Sequence, residues 1–152
     1  MSDARELVEV FDTTLRDGMQ VEGVSASVQD KLRIAEQLDF LGVHFIEGGW
    51  PGANPKDIEF FARARTELKL KTSTLVAFGS TRRPLGKVDD DATLRNLIEA
   101  ETSAVCIVAK CSAYHVEQAL QTTLDEGVAM VSDSVKYLVA NERRVLVDME
   151  HF

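Results

Sequence analysis

The sequence predicts an α/β fold, the N-terminal part of a (β/α)8 TIM barrel, about five βα units long, with the barrel incomplete. Three observations carry this expectation. Short runs rich in Val, Ile and Phe alternate with longer segments of helical period. The alternation repeats at intervals of roughly 30 to 40 residues. Polar residues recur where the runs end, at Asp12, Glu47, Lys110 and Glu150. The first two observations fit a doubly wound sheet equally well. The third favours a barrel, whose catalytic groups converge at the C-terminal mouth from different strands. A complete barrel needs about 250 residues, so a chain of 152 that stops at "DMEHF" is expected to be the N-terminal portion of a longer one.

Each element has a local reason. The strand candidates are residues 7–11, 43–48, 72–78, 104–110 and 144–150, near-continuous apolar runs of the kind covered on both faces in parallel sheets. After the first, Val28, Leu32, Ala35, Leu38 and Leu41 share one helical face, Ser27 and Asp30 resemble a capping box, and Gly42 supplies the stop. After the second, Asn54 can cap a helix and Pro55 suits its first turn, with Ile58, Phe61 and Ala62 as the expected buried stripe. Asp89, Asp90 and Asp91 suit the positive end of a third helix whose apolar side is Leu94, Leu97 and Ile98. The stretch 114–144 is long for one helix, and Gly127 is where it is expected to break or bend.

Composition narrows the function classes. The chain is 45% hydrophobic and 28% charged, enough for a core. A net charge of −8 disfavours nucleic acid and anionic membranes as partners. No run approaches the ~20 apolar residues of a membrane span, and "MSDARELVEV" lacks the pattern of a signal peptide, so a cytoplasmic location is expected. Cys106 and Cys111 form neither a CxxC pair nor a disulfide framework, and Cys106, in an apolar run, reads as a buried, inert thiol.

The chemistry concentrates in "FDTTLRDGMQ", residues 11–20. Neighbouring side chains of a strand point to opposite faces, so Arg16 and Asp17 can cooperate only if the backbone leaves the sheet there, a departure Gly18 would permit. Asp17 offers a hard oxygen for a divalent cation, and Arg16 a planar donor fork for an oxyanion. A local ion pair closing a loop explains the two residues equally well.

This stretch resembles the signature of the acyl-CoA-using aldol and Claisen enzymes on metal-dependent TIM barrels, among them isopropylmalate, homocitrate and citramalate synthases and hydroxymethylglutaryl-CoA lyase. "VSASVQDKLRIAEQLDFLGVHFIEGGWPGANPKD", "AFGSTRRP" and "DMEHF" are most similar to the citramalate synthase branch. The resemblance implies that residues 1–152 are the N-terminal portion of a pyruvate carboxyltransferase-like (HMGL-like) catalytic barrel, with no regulatory domain. It implies a condensation of acetyl-CoA with a 2-oxo acid, pyruvate favoured, in branched-chain amino-acid biosynthesis. It also implies a divalent metal, Mg2+ or Mn2+ with Zn2+ as a further candidate, and a homo-oligomer.

Carried onto this sequence, the resemblance makes Arg16 the stabiliser of developing oxyanion charge and Asp17 a metal ligand. Gln20 would hydrogen-bond near the substrate, Glu47 would shape the pocket, and Glu150 would be the general acid/base. Lys110 could meet a substrate carboxylate or simply be solvated. His115 could touch substrate or make a helix-start hydrogen bond, and His151 could line the mouth or lie in a loop. Trp50 and Phe78 are candidate pocket walls or packing aromatics. "GGWPG" lacks the Gly-Lys-Ser/Thr ending of a P-loop and is no nucleotide cradle.

The family completes its metal site with a His-x-His pair, and His44, His115 and His151 form none. The chain by itself is therefore expected to bind metal weakly and turn over little. An unclosed sheet would also leave apolar surface and unpaired backbone at its fifth strand, which predicts self-association or marginal stability. The competing readings are isopropylmalate synthase, hydroxymethylglutaryl-CoA cleavage, and a non-catalytic partial barrel that self-associates.

Overall fold

A computed structural model describes residues 8–150. It has five strands, β1 (Phe11–Asp12), β2 (Phe45–Gly49), β3 (Thr74–Ser80), β4 (Ala104–Lys110) and β5 (Arg144–Glu150), all parallel and in sequential order. Sequential order is what separates a barrel-type sheet from a doubly wound one, where the order reverses. The helices are α1 (Val28–Leu41), α2 (Pro55–Glu67), α3 (Ala92–Glu99), α4 (Ala113–Gln118) and α5 (Leu124–Ala140).

The sheet separates two apolar clusters. One joins Ile46, Ala77, Val105 and Ile107 to helix residues such as Leu32, Phe60, Leu97 and Leu138. The other holds Phe45, Val76, Phe78, Ala104 and Cys106 with Phe11, Trp50, Val108 and Leu146, and no helix residue. Alternate strand positions thus face the helices or the inner surface, as the period of two requires. Because every strand runs the same way, Ser80, Lys110 and Glu150 all finish at one rim.

Helix starts follow local chemistry. Ser27 and Asp30 form both bonds of a capping box, Asn54 accepts from Asp57 N, and Gly42 ends α1 at φ +87°. Asp91 caps α3 by accepting from Thr93 N and Leu94 N, so part of the acid run serves the helix start.

Several boundaries differ from the sequence reading. β1 is confined to Phe11–Asp12 among the described residues, because Val10 N donates to the His44 ring rather than to a neighbouring strand. β3 starts two residues late, since Asp39 takes the N–H groups of Lys71, Thr72 and Ser73. The buried stripe of α2 is Phe60, Phe61 and Ala64, while Ile58 is 54% exposed and Ala62 also faces solvent. Gly127 does not break the last helical segment. The interruption falls between α4 and α5, and Gly127 lies inside α5, where a Cβ would stand 3.1 Å from Val116. His151 lies outside the described residues.

Candidate active site

The turn after β1 is built by its own polar groups. Asp12 accepts from the Thr14 N–H and hydroxyl, both at 3.0 Å, and Thr13 O accepts from Arg16 N and Gly18 N. This turn lifts Arg16 and Asp17 out of the sheet. Gly18 is not what permits it: its φ is not positive, and a Cβ there would meet nothing closer than 3.8 Å. The Asp12 carboxylate is used in the turn and does not line the cleft beside it.

That cleft, about 960 Å3, lies at the C-terminal rim of the sheet. Arg16, Trp50, Phe78, Lys110 and Glu150 line its strand side, and α1 and α2 contribute the opposite wall through Lys31 and Asp57. Arg16 is held at three points. Its Nε donates to Glu47 Oε2 at 2.7 Å, its Nη1 lies 3.3 Å from Asp17 Oδ1, and its guanidinium carbon stands 4.0 Å from the centre of the Phe78 ring. Glu47 is 1% exposed and two residues short of the strand end, so it lies beneath Arg16 instead of at the rim. Burial pushes its carboxyl up, and Arg16 pulls it partly back.

Lys110 Nζ and Glu150 Oε2 meet at 2.8 Å on the same wall, so neither reading of Lys110 alone describes it: it is paired across adjacent strands. Gln20 also lines the cleft, whereas Asp17 and His115 do not. Asp17 is 62% exposed, and His115 sits on α4, edge-on to Tyr114 at 5.7 Å. Trp50 and Phe78 are both wall and packing, 5.5 Å apart in a T-shaped contact.

Among the described residues no three His, Cys, Asp or Glu side chains are grouped to hold a divalent cation. Asp17 supplies one exposed carboxylate already beside Arg16, which does not fill an octahedral or tetrahedral shell. The residues described here do not by themselves fit the metal.

The wall residues that sequence reasoning missed are Lys31 and Asp57. Lys31 occupies a position on the buried face of α1 between Val28 and Ala35, and a lysine inside an apolar stripe is the signal that could have found it.

The chain matches the HMGL-like family over residues 7–152. It belongs to that family. Among its HMGL-like relatives, an (R)-citramalate synthase of Streptomyces coelicolor is 55% identical over 99% of this chain and 28% of the relative. One of Aquifex aeolicus is 52% identical over 97% of this chain and 28% of the relative. A 2-isopropylmalate synthase of Shouchella clausii is 35% identical over 86% of this chain and 24% of the relative. The chain therefore spans about 28% of the length of these citramalate synthase relatives. Among solved structures, an HMG-CoA lyase of Pseudomonas aeruginosa superposes with a TM-score of 0.68 at 19% identity, covering 92% of this chain and 45% of that one. A lyase of Acinetobacter baumannii solved with coenzyme A and 3-methylmalate gives 0.68 at 19%, covering 97% and 46%. At that identity the likeness establishes the HMGL-like barrel fold alone.

Proposed function

We propose that the chain is part of the catalytic barrel of an acyltransferase that joins the acetyl group of acetyl-CoA to a 2-oxo acid, with pyruvate as substrate and citramalate as product. The observation that supports this best is Arg16, a cation fixed in the cleft by a buried carboxylate and an aromatic face. Of the five N–H donors of a guanidinium, Glu47 and Asp17 engage two, which leaves three for a bound anion.

In this reading Glu150 removes a proton from the acetyl methyl group, and Lys110 Nζ, donating to its carboxylate, orients it. The resulting carbon attacks the keto carbon of the 2-oxo acid. The keto oxygen takes the electron pair, Arg16 stabilises the charge that develops on it, and the oxygen then takes up the proton that Glu150 removed, which leaves a hydroxyl and restores the carboxylate. Gln20 hydrogen-bonds the bound acid, and water then cleaves the thioester to release coenzyme A as its thiol. A divalent cation would polarise the keto group where one is bound, and Asp17 is the carboxylate of this chain proposed to meet it. His115, which does not line the cleft, is given no part in this reading.

The relatives named citramalate synthase are more similar than those named isopropylmalate synthase, which favours pyruvate over a branched 2-oxo acid. The same arginine could serve cleavage of a hydroxyacyl-CoA, a reading favoured only by the fold likeness. We propose a cytoplasmic location, where acetyl-CoA and 2-oxo acids are available. No helix among the described residues is long and apolar enough to cross a membrane. Self-association of the chain is proposed through β5, where Val147 and Met149 are exposed.

The test is thiol release from acetyl-CoA by the intact gene product with Mg2+ or Mn2+, offered pyruvate or 2-oxoisovalerate, and, separately, product analysis with hydroxymethylglutaryl-CoA, whose cleavage would give acetyl-CoA and acetoacetate without freeing a thiol. Release with pyruvate above 2-oxoisovalerate is expected. A folded, metal-supplied protein that releases thiol with no 2-oxo acid overturns the reading.

A further inference from the structure

The turn that carries Trp50 is held from behind by groups the proposed chemistry does not use. β2 slips register against β3 between Glu47 and Gly49, and Gly49 takes φ +137°, a conformation that favours glycine. A Cβ at Gly49 would stand 2.8 Å from the Asp57 carboxyl carbon, so backbone and carboxylate are in direct contact. Asp57 Oδ2 accepts from Trp50 N at 3.2 Å and from the Asn54 side-chain amide at 3.1 Å. Its Oδ1 accepts from Lys31 Nζ at 2.6 Å. Lys31 is 3% exposed, with its ammonium 4.6 Å from the centre of the Phe60 ring.

An ion pair is an expensive way to join α1 to α2, because apolar side chains of similar volume make such a contact without desolvating two charges. What the pair supplies is a carboxylate fixed in place, with both oxygens engaged, to which the Trp50 N–H is tied. The indole packs edge-on against Phe78, at 5.5 Å and 78°, and the Phe78 face carries the Arg16 guanidinium. The contacts run without a gap from Lys31 through Asp57, Trp50 and Phe78 to Arg16.

We propose that Lys31 and Asp57 are positioning residues for Arg16, acting through the Trp50 turn and Phe78. That role rests on Arg16 being the group that receives charge, as proposed above. Small displacements of such a group are costly in rate, on the order of 100-fold for 1 Å.

Trp50 is the sole tryptophan of these 152 residues, so the emission of this chain reports the turn alone. The Arg16 Nε–H, bonded to Glu47 and beside an aromatic ring, gives a nitrogen-15 resonance that reports the guanidinium. Asp57→Asn keeps the side-chain shape and Lys31→Met its length. Each is expected to shift Trp50 emission to the red and to move or broaden the Arg16 resonance. In the intact gene product each is expected to lower kcat by roughly 10- to 100-fold, with KM for acetyl-CoA within about twofold. Arg82→Lys weakens the ion cluster that buried Arg82 makes with Glu126 and Asp133, which lines no part of the cleft, and is expected to leave both spectra unchanged. Folded variants whose Trp50 emission and Arg16 resonance match the wild type overturn the proposal, and if Asp57→Asn does not fold, Lys31→Met decides. Both spectra are read without turnover, so an inactive wild type overturns the proposed reaction while the spectra still judge the positioning role.

Discussion

Arg16 Nε donates to Glu47 Oε2 at 2.7 Å, across 31 residues of sequence and to a carboxylate that is 1% exposed. Glu47 belongs to β2 and Arg16 to the turn after β1, so the parallel pairing of these two strands brings the bond together. Arg16 lines the cleft and its counter-charge is buried beneath it, which leaves three guanidinium donors not engaged by Glu47 or Asp17.

Glu47→Gln separates stability from activity. Burial raises the Glu47 carboxyl above its ordinary value of 4.5, so the folded state binds that proton more tightly than the unfolded chain. The stability it contributes is present below 4.5 and is lost as pH rises through the raised value. Glu47→Gln is therefore expected to be no less stable than wild type at neutral pH, with its advantage growing across that window. Its kcat in the intact gene product is expected to fall by about 10- to 100-fold as Arg16 loses its charged anchor. Urea midpoints at pH 4 and 7, with kcat measured alongside, check both; a midpoint well below wild type at pH 7 would contradict the first.

Asp39 behaves with the opposite sign. Burial opposes its ionisation, but the N–H groups of Lys71, Ser73 and Thr72 outweigh that and hold its carboxyl at about 2, against 3.8 ordinarily. Its contribution is complete above 3.8 and disappears as pH falls through about 2. Asp39→Asn is expected to cost about 1 to 2 kcal/mol at pH 7, with a difference from wild type that closes in acid. A constant difference from pH 7 to pH 2 in denaturation curves would rule this out.

Arg16→Lys keeps the charge and removes the fork. The intact gene product carrying it is expected to lose roughly 100- to 1,000-fold in kcat while its far-UV circular dichroism is unchanged. Retention of full activity would show that a point charge suffices and that the guanidinium geometry is irrelevant.

The two cysteines should differ in reactivity. Burial, then the nearby Glu47 and Asp148 charges, push the Cys106 thiol up to about 12, whereas Cys111 is exposed. Iodoacetamide at pH 8 is expected to add one label to the folded chain and two to the unfolded chain, read by intact mass. Labelling of Cys106 in the folded state would mean that the inner face opens.

Sedimentation of the chain tests the proposed association through β5. Concentration-dependent species heavier than the monomer are expected, and Met149→Glu is expected to shift them toward monomer. A sharp monomer at all concentrations removes that proposal.

Local signals were readable wherever a residue acts on its immediate neighbours. Ser27 with Asp30, Asn54 with Pro55, Gly42, and the limits of β4 and β5 all follow from contacts a few residues apart. The reading failed where a distant group intervened. His44 cuts β1 short, Asp39 delays β3, and the packing of α2 against α1 and β2 selects Phe60 and Ala64 over Ile58 and Ala62.

By itself, the sequence determined the alternation of strands and helices, the caps, and the motif that places Arg16 and Asp17 after the first strand. Tertiary structure alone decided that the strands lie in sequential order, that Glu47 sits beneath Arg16, that Lys110 pairs with Glu150, and that Lys31 reaches Asp57. The reason is physical. Backbone capping and side-chain period act over three or four residues, whereas a buried ion pair becomes favourable only when folding removes water from two groups dozens of residues apart.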